Sequence, residues 1–468
     1  MPPSPNPRGS RPITFIHTAD WQLGKPFAAI TNPAKRARVQ QDRFDAIRRI
    51  AAVVRDRQAE FVVVAGDLFD SPTPTHDTIS AALGAIADLG VPVFAIPGNH
   101  DHGGPDSLWE QAFFQRERAR LAPDFHLLTA GTPMPVTLPG RGDGERTVTL
   151  LPCPLLRRRK ADDPTAWIRD LDFAAVGDTP RIVIAHGSVT SFKAGGSARL
   201  DEDDDAAAGV AAGGANTIAI DRLPLDDLDY VAVGDWHGFM AAGSKTWYSG
   251  SPEIDRFPKA GQEPGHVACV TVGRGVQPTV AAIRTGRFRW LFLDIVLDAE
   301  DDGAGCGNTG AGGASSDEGA TGRGPAYLDA VVTEATRPQA EGEPGFDGCL
   351  AKITVTGTVS LAGRAELDRV IESWEARLLR LDLDDSVRIS PTPDEIRDLA
   401  ARPGDPIISR VAAELVRRLE PGVAGAATTP AELEVVRHAL TMLHGLAHPS
   451  QSSTATTITN TSTGAKLA

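Results

Sequence analysis

The chain has 468 residues, which is too long for one ordinary core and favours two or three domains. Hydrophobic residues make up 41% and charged residues 23%, as in soluble globular proteins, and no apolar run approaches the roughly 20 residues that a membrane span needs. The formal net charge of -14 argues against nonspecific attraction to nucleic acid, so any such binding must use local basic patches and bound metal.

The opening of the chain and its cysteines bear on the cellular setting. The stretch MPPSPNPRGS contains no apolar core segment, so we expect no secretory signal, a disordered N-terminus over residues 1–12 and a cytoplasmic protein. No two cysteines form a CxxC pair, which argues against both a zinc knuckle and a disulfide framework. We interpret all four as ordinary thiols: Cys153, Cys269, Cys306 and Cys349.

The first half of the chain alternates strand and helix patterns. A short apolar strand at Ile13–Ile16 precedes an amphipathic helix over Lys35–Asp56, whose arginines are interspersed with acids and so indicate a surface helix. FVVVAGD is typical of a buried strand. A helix in HDTISAALGAIADLG follows, with further strands in VPVFAIPGNHD, RIVIAHG and DYVAVGDWH. This alternation predicts an α/β fold whose chemistry lies just past the carboxyl ends of the strands.

Two stretches rich in Gly, Ala and acid interrupt these patterns. They lie near residues 200–216 and 300–324, and their composition is typical of flexible insertions. After the second, AKITVTGTV alternates like a half-buried strand and RAELDRVIESWEARLLRL has helical spacing. We therefore expect a first domain over residues 13–286 and a smaller α+β domain over residues 287–400.

Two helices and a polar tail close the sequence. Asp405 is a candidate N-cap before Pro406, and apolar residues follow at helical spacing. The segment TPAE predicts a capping box in which Glu432 returns to Thr429, ahead of a second apolar helix. We expect this helical pair over residues 401–447 and a disordered tail over residues 448–468.

Five short segments at the ends of apolar runs supply oxygen or imidazole ligands. A single such segment would mean little, because a lone GD is usually a turn and a lone His is more often a core residue than a ligand. Five in series are hard to assign to folding alone. They are Asp20 with Gln22, GDLFD with Asp67 and Asp70, GNHDH with Asn99 and His100, AHG with His186, and GDWHG with Asp235 and His237.

These residue types suit a site with two metal ions. Two metals about 3.5–4 Å apart can hold a phosphodiester oxygen, lower the pKa of a bridging water, and stabilise both the attacking and the leaving oxygen. Such a site needs a bridging carboxylate, terminal oxygen or imidazole ligands on each ion, and a proton donor beside the leaving group.

The series DWQ, GDLFD, GNHDH, AHG and GDWHG, followed by YSGSPE, resembles the calcineurin-like metallophosphoesterases. The GSPE turn narrows the resemblance to the SbcD-type DNA repair exonucleases. The motifs extend from Asp20 to Glu253. The resemblance implies a β-sandwich flanked by helices in four layers (αββα), with a smaller α+β capping domain and C-terminal helices.

The resemblance also implies a role for each motif residue. Asp67 becomes the carboxylate that bridges two divalent metal ions. Asp20, Gln22 and His237 complete one metal site. Asn99, His186 and Asp235 complete the other. His100 matches the catalytic histidine beside the scissile phosphate, and Asp70 is a candidate to orient its ring.

Two positions depart from the family pattern, which usually has histidine where this chain has Gln22 and Asp235. Both replacements still offer an oxygen that can bind a hard cation. Because the other ligands and His100 are present, we favour an active enzyme over a relic. We expect manganese as the metal, with magnesium as the alternative.

The leading hypothesis is a metal-dependent DNA exonuclease or endonuclease that acts on DNA ends in repair, with residues 287–400 guiding the strand. Members of this family work with an ATPase of the structural-maintenance type. The closing helices either bind that ATPase or fold back onto the core of this chain. A homodimer is also possible under the resemblance. The basic segment LLRRRK either contacts phosphates or is a solvated loop. Two other functions stay open: a small-molecule phosphodiesterase or phosphatase, and a noncatalytic scaffold for DNA ends or the ATPase.

Overall fold

The computed structural model describes residues 12–138, 145–190, 215–259, 261–298, 320–340, 342–402, 404–419, 427 and 429–447. Nearly all of the expected disordered ends and insertions lie outside these residues. Contacts divide the chain into a first unit, Met1–Trp290 with Ala340–Pro344, and a second unit, Leu291–Gln339 with Gly345–Ala468. None of the helices in the described part of the chain is long and apolar enough to cross a membrane.

Two six-stranded sheets form the framework of the first unit. In chain order, its strands are β1 (Ile13–Thr18), β2 (Val62–Ala65), β3 (Val93–Ile96), β4 (Phe125–Leu127), β5 (Met134–Leu138), β6 (Arg146–Cys153), β7 (Arg181–His186), β8 (Ser188–Val189), β9 (Thr217–Ile218), β10 (Tyr230–Gly234), β11 (Met240–Ala241), β12 (Thr246–Tyr248), β13 (His266–Val272) and β14 (Thr279–Arg284). Its helices are α1 (Pro33–Arg57), α2 (His76–Ala87), α3 (Ala112–Leu121) and α4 (Phe173–Val176).

Each sheet has a parallel centre, with antiparallel strands at one edge of the first sheet and at both edges of the second. The first sheet has the order β14-β13-β1-β2-β3-β4, in which β1 to β4 run parallel. The second has the order β11-β12-β10-β7-β6-β5, in which β12, β10, β7 and β6 run parallel. The carboxyl ends of β1, β2 and β3 therefore share one edge of the first sheet, and those of β6, β7 and β10 share one edge of the second.

The two sheets pack face to face through an apolar layer. Phe15 of β1 stacks on Phe61 at a centroid distance of 4.9 Å and meets Tyr230 of β10 edge-on at 5.6 Å. The opposite face of the first sheet is covered by α1, α2 and α3. Short helical segments that include Ile168 and Ile220 cover the outer face of the second. The order helix, sheet, sheet, helix confirms the predicted fold class, although the outer layer of the second sheet is built of short turns.

The second unit has its own sheet and its own core. Its elements are β15 (Arg289–Asp298, which begins in the first unit), β16 (Ala320–Arg323), α5 (Gly324–Thr336), β17 (Cys349–Val359), α6 (Leu361–Arg377), β18 (Arg380–Ile389), α7 (Pro393–Ala400), α8 (Pro406–Leu419) and α9 (Pro430–Ala447). The strand order is β16-β15-β17-β18, and Trp374 of α6 is buried in the core beside it.

The predicted caps of the closing helices are present. The Asp405 carboxylate accepts from Ile408 N at 3.2 Å, as an N-cap does. In the capping box, Glu432 N donates to Thr429 Oγ1 at 3.2 Å and Thr429 N donates to Glu432 Oε2 at 3.0 Å. These local bonds explain why the sequence pattern located both helix starts correctly.

Candidate metal centre

The candidate ligands come from the carboxyl ends of five strands. Asp20 and Gln22 follow β1, Asp67 follows β2, and Asn99 follows β3 in the first sheet. His186 ends β7, whereas Asp235 and His237 follow β10 in the second sheet. Because the two sheets pack against each other, the loops from both reach one place, and the segments that the sequence singled out are brought together.

Asp20, Asp67 and His186 lie at the centre of this group. Each is buried, and one ligand atom from each lies within 4.8 Å of the others, a spacing that suits a metal ion. His186 Nε2 lies 3.5 Å from Asp67 Oδ2, 3.7 Å from Asp235 Oδ1 and 2.7 Å from Asn99 Oδ1. Three other predicted ligands, Asn99, Asp67 and Asp235, therefore place an oxygen within 4 Å of this one imidazole nitrogen.

The ring of His186 is fixed by its other nitrogen. Nδ1 donates to the backbone oxygen of Ala65 at 2.7 Å, so Nε2 is the atom that faces the carboxylates. Burial opposes the charged form, but Asp67, Asp20 and Asp235 outweigh it and raise the pKa of His186 to about 9. A divalent cation can satisfy the same oxygen and nitrogen lone pairs that a proton on Nε2 satisfies.

Gln22 holds an orphaned polar atom inside the centre. Its Nε2 donates to Asp67 Oδ2 at 2.9 Å. Its Oε1 is buried and has no hydrogen-bond partner. A buried oxygen left unpaired costs about 1–3 kcal/mol, and a cation would supply the missing partner. The donor set and this orphaned oxygen both fit a hard divalent metal.

His237 and Asp235 complete the oxygen and imidazole set. His237 Nδ1 donates to Asp255 Oδ1 at 2.9 Å, and its Nε2 lies 4.0 Å from Asp20 Oδ1. Although burial lowers the pKa of His237, Asp255 outweighs it and raises that pKa above its usual value. The Asp235 backbone N–H donates to both Asp20 carboxylate oxygens at 3.1–3.2 Å, and Asp235 Oδ2 accepts from Ser188 Oγ at 3.0 Å.

Asp255 is a residue of the candidate site that sequence reasoning missed. It is buried, and Lys25 Nζ donates to its Oδ2 at 2.9 Å. Burial alone would raise the pKa of this carboxyl, but His237, Lys25 and Arg256 hold it well below its usual range. An ionised carboxylate on the far nitrogen of a ligand histidine fixes the orientation of the ring and its tautomer. Its only sequence signal is an acid two residues after the GSPE turn.

His100 lies directly beside the Asp67 carboxylate. Its backbone N–H donates to Asp67 Oδ1 at 3.0 Å, and its Nδ1 donates to the backbone oxygen of Asp70 at 2.9 Å. Nε2 therefore carries the lone pair in the neutral ring. Asp70 contacts the ring through its main chain rather than through the predicted carboxylate, which instead lies 3.8 Å from Lys25 Nζ.

Asp101 ties the loops after β2 and β3 together. Its carboxylate accepts from Leu68 N at 2.7 Å, Phe69 N at 3.1 Å and Gly98 N at 2.7 Å. Burial, with a further contribution from Asp67, raises the pKa of Asp101 to about 7. Gly98 must lack a side chain, because a Cβ there would lie 2.1 Å from Asp67 Oδ1. The loops that carry Asp67 and His100 are thus held as one piece.

Four ligand candidates adopt left-handed backbone conformations. The φ angles are 54° for Asp20, 49° for Gln22, 55° for Asp67 and 96° for Asp235. Such angles are uncommon outside glycine, cost of order 1–3 kcal/mol each, and cluster at functional sites. The surrounding hydrogen bonds must therefore hold these residues in place.

Arg43 of α1 supplies the main restraint on the first of these loops. Its Nε donates to Trp21 O at 2.8 Å and its Nη2 to the same oxygen at 2.5 Å. Further bonds of 3.3 Å reach Asp20 O and Glu253 O. Ser251 Oγ also donates to Asp20 O, at 3.0 Å. Helix α1 has an exposed face, as a surface helix does, but Arg43 itself is only 2% exposed.

Comparison with known proteins gives a family match and one related nuclease subunit. Residues 13–239 match the family described as calcineurin-like phosphoesterase. The chain is similar to the SbcD subunit of the nuclease SbcCD from Bacillus subtilis (strain 168), with 28% identity over 280 residues. That alignment covers 53% of this chain and 64% of the relative, so the chain spans just under two thirds of that protein. One solved structure aligns over 59% of this chain at 13% identity with a TM-score of 0.33, too low to equate the folds.

We predict that metal binding releases protons and strengthens with pH. Burial raises the pKa of Asp20 to about 6, and the carboxylates raise that of His186 to about 9 despite burial, so both groups hold protons that a metal must displace. Above each pKa the competing proton is gone, so the affinity for manganese should rise from pH 6 to pH 9. Calorimetry in two buffers of different ionisation enthalpy counts the protons.

The variant His186→Gln is the control for this titration. It should lose the proton release that belongs to the upper end of the range and keep the part that belongs to Asp20. A wild-type manganese affinity that does not change between pH 6 and pH 9 would contradict the assignment of these two groups as ligands.

Proposed function

We propose that this chain, whose residues 13–239 match the calcineurin-like phosphoesterase family, is a metal-dependent nuclease that hydrolyses phosphodiester bonds at DNA ends. The observation that carries the proposal is the convergence of five strand ends on the buried trio Asp20, Asp67 and His186, with His100 bonded to the central carboxylate. The relative named as a nuclease subunit supports a nucleic acid as the substrate, and we propose that this nucleic acid is DNA.

The residues divide into two ligand sets that share Asp67. Asp20, Gln22 and His237 would hold one cation, and Asn99, His186 and Asp235 would hold the other. When bound, the cation pair supplies positive charge that activates a water molecule and offsets the charge on the phosphate oxygens. The bonds of Asp101, Asp255 and Arg43 keep the protein side of the site fixed, so little reorganisation is needed when the substrate binds.

His100 is the proton-transfer group in this proposal. Its Nδ1–H is committed to the Asp70 carbonyl, so Nε2 is the position that can give a proton to the leaving oxygen or take one. Its backbone N–H restrains Asp67 independently of the side chain. The ring can therefore be removed while the backbone bond to the shared carboxylate is kept.

That separation gives the first test. Asp67→Ala should abolish metal-dependent hydrolysis, because both ligand sets lose their shared carboxylate. His100→Ala should keep the bound metals and slow turnover by roughly a hundredfold or more, the range for a positioned acid or base. Hydrolysis of linear DNA and of bis(4-nitrophenyl) phosphate is measured with manganese, and metal content is measured by calorimetry.

The exposed His438 of α9 provides the matched control, since His438→Ala removes an imidazole far along the chain from the motifs. Loss of both metals in His100→Ala would refute its assigned role. Hydrolysis of the small diester without hydrolysis of DNA would favour the small-molecule phosphodiesterase instead, which the net charge of -14 mildly supports.

The replacements at Gln22 and Asp235 set the metal preference. An amide oxygen and a carboxylate make both ligand sets richer in oxygen than histidines would, and Asp235 adds a negative charge. Hard cations gain from this exchange relative to ions that prefer imidazole. We therefore propose manganese as the metal, with magnesium as the alternative.

The second test exchanges each ligand separately. Wild-type protein should hydrolyse diesters with manganese and tolerate zinc poorly. Gln22→His should strengthen zinc binding at the set with Asp20 and His237, and Asp235→His at the set with Asn99 and His186, because each change adds an imidazole. Each variant is titrated with manganese and with zinc while hydrolysis is followed. Wild-type protein that binds no metal, or that hydrolyses nothing until both histidines are present, would identify a noncatalytic scaffold.

The closing helices are the proposed contact for an ATPase of the structural-maintenance type. One side of each helix packs in its own unit, where Ala412 and Leu440 are buried with Leu361 and Leu399. The helices nevertheless keep large apolar side chains exposed: Ile407 and Val411 on α8, and Val435, Met442 and Leu446 on α9. Exposed apolar side chains on an amphipathic helix suit docking to a partner helix.

We predict that Ile407→Glu combined with Leu446→Glu abolishes co-elution with that ATPase. Both side chains are more than 70% exposed, so the unit should stay folded. Arg410→Glu, at an exposed position on α8, controls for added negative charge. Size-exclusion chromatography of the mixed proteins reports the complex, and co-elution of the double variant at the wild-type level would rule this contact out.

A further inference from the structure

A run of cationic side chains lies in the loop after β6. The residues Leu156, Arg157, Arg158 and Arg159 are exposed, and Lys160 is partly exposed. Strand β6 runs parallel to β7, with Cys153 opposite Ala185, so this loop leaves the second sheet at the edge where His186 lies. We call residues 156–160 the basic rim.

The backbone at the start of the basic rim is packed against the loop that carries Asn99 and His100. Leu155 N donates to Pro97 O at 3.2 Å, and Gly103 N donates to Leu155 O at 2.8 Å. The approach at Gly104 is so close that a Cβ there would lie 2.6 Å from Leu156 O. The rim therefore has a fixed place beside the loop that carries the proposed proton donor.

Asn216 fixes the other end of the rim. Lys160 N donates to Asn216 Oδ1 at 2.8 Å, Asn216 N donates to Lys160 O at 2.7 Å, and Asn216 Nδ2 donates to Arg158 O at 2.9 Å. Asn216 is buried and has a left-handed φ of 56°. Its own carbonyl accepts from Ser188 N at 3.1 Å, and the Ser188 hydroxyl bonds Asp235.

The rim is thus a rigid cationic feature between two ligand loops in a strongly acidic chain. A freely solvated basic loop would not need three hydrogen bonds from one strained asparagine to set its backbone. Exposed arginines on a backbone that is held in place suit phosphate oxygens, which they contact without reading base sequence. A small diester has one phosphate, which the metal centre would occupy, whereas a polynucleotide carries further phosphates along the same strand.

We propose that the basic rim binds the phosphate backbone of the substrate strand next to the bond that is cut. The rim thereby selects polynucleotides over small phosphodiesters, and it compensates locally for the net charge of -14. This inference rests on the proposed function, because it assigns the substrate class of the same site.

The test compares two pairs of arginines that differ only in place. Arg157→Gln with Arg159→Gln removes two charges from the rim. Arg55→Gln with Arg57→Gln removes two exposed charges at the end of α1. Helix α1 ends shortly before β2 begins, so these arginines lie near the amino end of β2, away from the carboxyl ends that carry the candidate ligands. Binding to linear DNA is measured between 50 mM and 200 mM salt, with the His100→Ala change added throughout to prevent cleavage.

The rim variant should lower the magnitude of the slope of log affinity against log salt by about two, one for each lost phosphate contact. In the background with His100 intact, its kcat/KM on linear DNA should fall on the order of tenfold relative to its kcat/KM on bis(4-nitrophenyl) phosphate. The α1 variant should change neither quantity.

Three results would overturn the rim. The first is an unchanged salt slope in the rim variant, and the second is an equal reduction of the slope in the α1 variant. The third is an equal fall of kcat/KM on linear DNA and on bis(4-nitrophenyl) phosphate, which would mean that the loop supports the metal centre instead. Failure of the proposed function looks different. In that case the wild-type chain binds DNA with a slope that depends on the rim, yet hydrolyses neither substrate with manganese.

Discussion

The buried guanidinium of Arg43 is the contact on which the candidate metal centre most depends. It reaches from α1 to the carbonyls of Asp20, Trp21 and Glu253, and so holds a backbone that would otherwise leave the left-handed region. Burial lowers the pKa of Arg43, while nearby carboxylates, Asp255 foremost, oppose that shift and compensate the charge. Because Asp20 in turn bonds the backbone of Asp235, one arginine of the first sheet's helix layer positions ligands in both sheets.

The GSPE turn has a supporting role in the same arrangement. Glu253 is buried and accepts from Arg49 Nη2 at 2.8 Å and from the backbone N–H of Arg287 at 2.6 Å. Burial, together with the neighbouring Asp42, raises the pKa of Glu253 to about 8. The turn thus brings Ser251 and the Glu253 carbonyl to Arg43, without supplying any candidate ligand itself. The residue types of the GSPE turn suggest a chemical role, but the turn instead helps to position the loop that Arg43 holds.

The sequence predicted those parts of the centre that depend on local patterns. Apolar runs located the strands, and short motifs at their ends placed Asp67, His100 and His186, because parallel strands in one sheet deliver their carboxyl ends to one edge. It did not predict Arg43, Asp255 or Asn216. The contacts of these residues join side chains and backbone atoms that are about twenty to more than two hundred residues apart in the sequence. No periodicity in the sequence marks an arginine or an asparagine as buried. Arg43 shows this limit clearly, since it is buried whereas Arg48 on the same helix is exposed.

The energetic cost of Gln22 helps to distinguish a metal-binding enzyme from a scaffold that keeps only the fold. Its backbone is strained, its amide nitrogen is bonded to Asp67, and its carbonyl oxygen is buried without a partner. A scaffold without metal would carry both costs and gain nothing, because either a relaxed backbone or a smaller apolar side chain would remove them. A cation bound at Asp20 and Asp67 changes that balance, since it gives the orphaned oxygen a partner while Gln22 Nε2 still restrains the shared carboxylate. A histidine at this position would donate one nitrogen to the metal but could not also hold Asp67 by an amide N–H. The strained backbone and the unpaired oxygen of Gln22 therefore support the proposed role of this residue as a ligand for a hard metal.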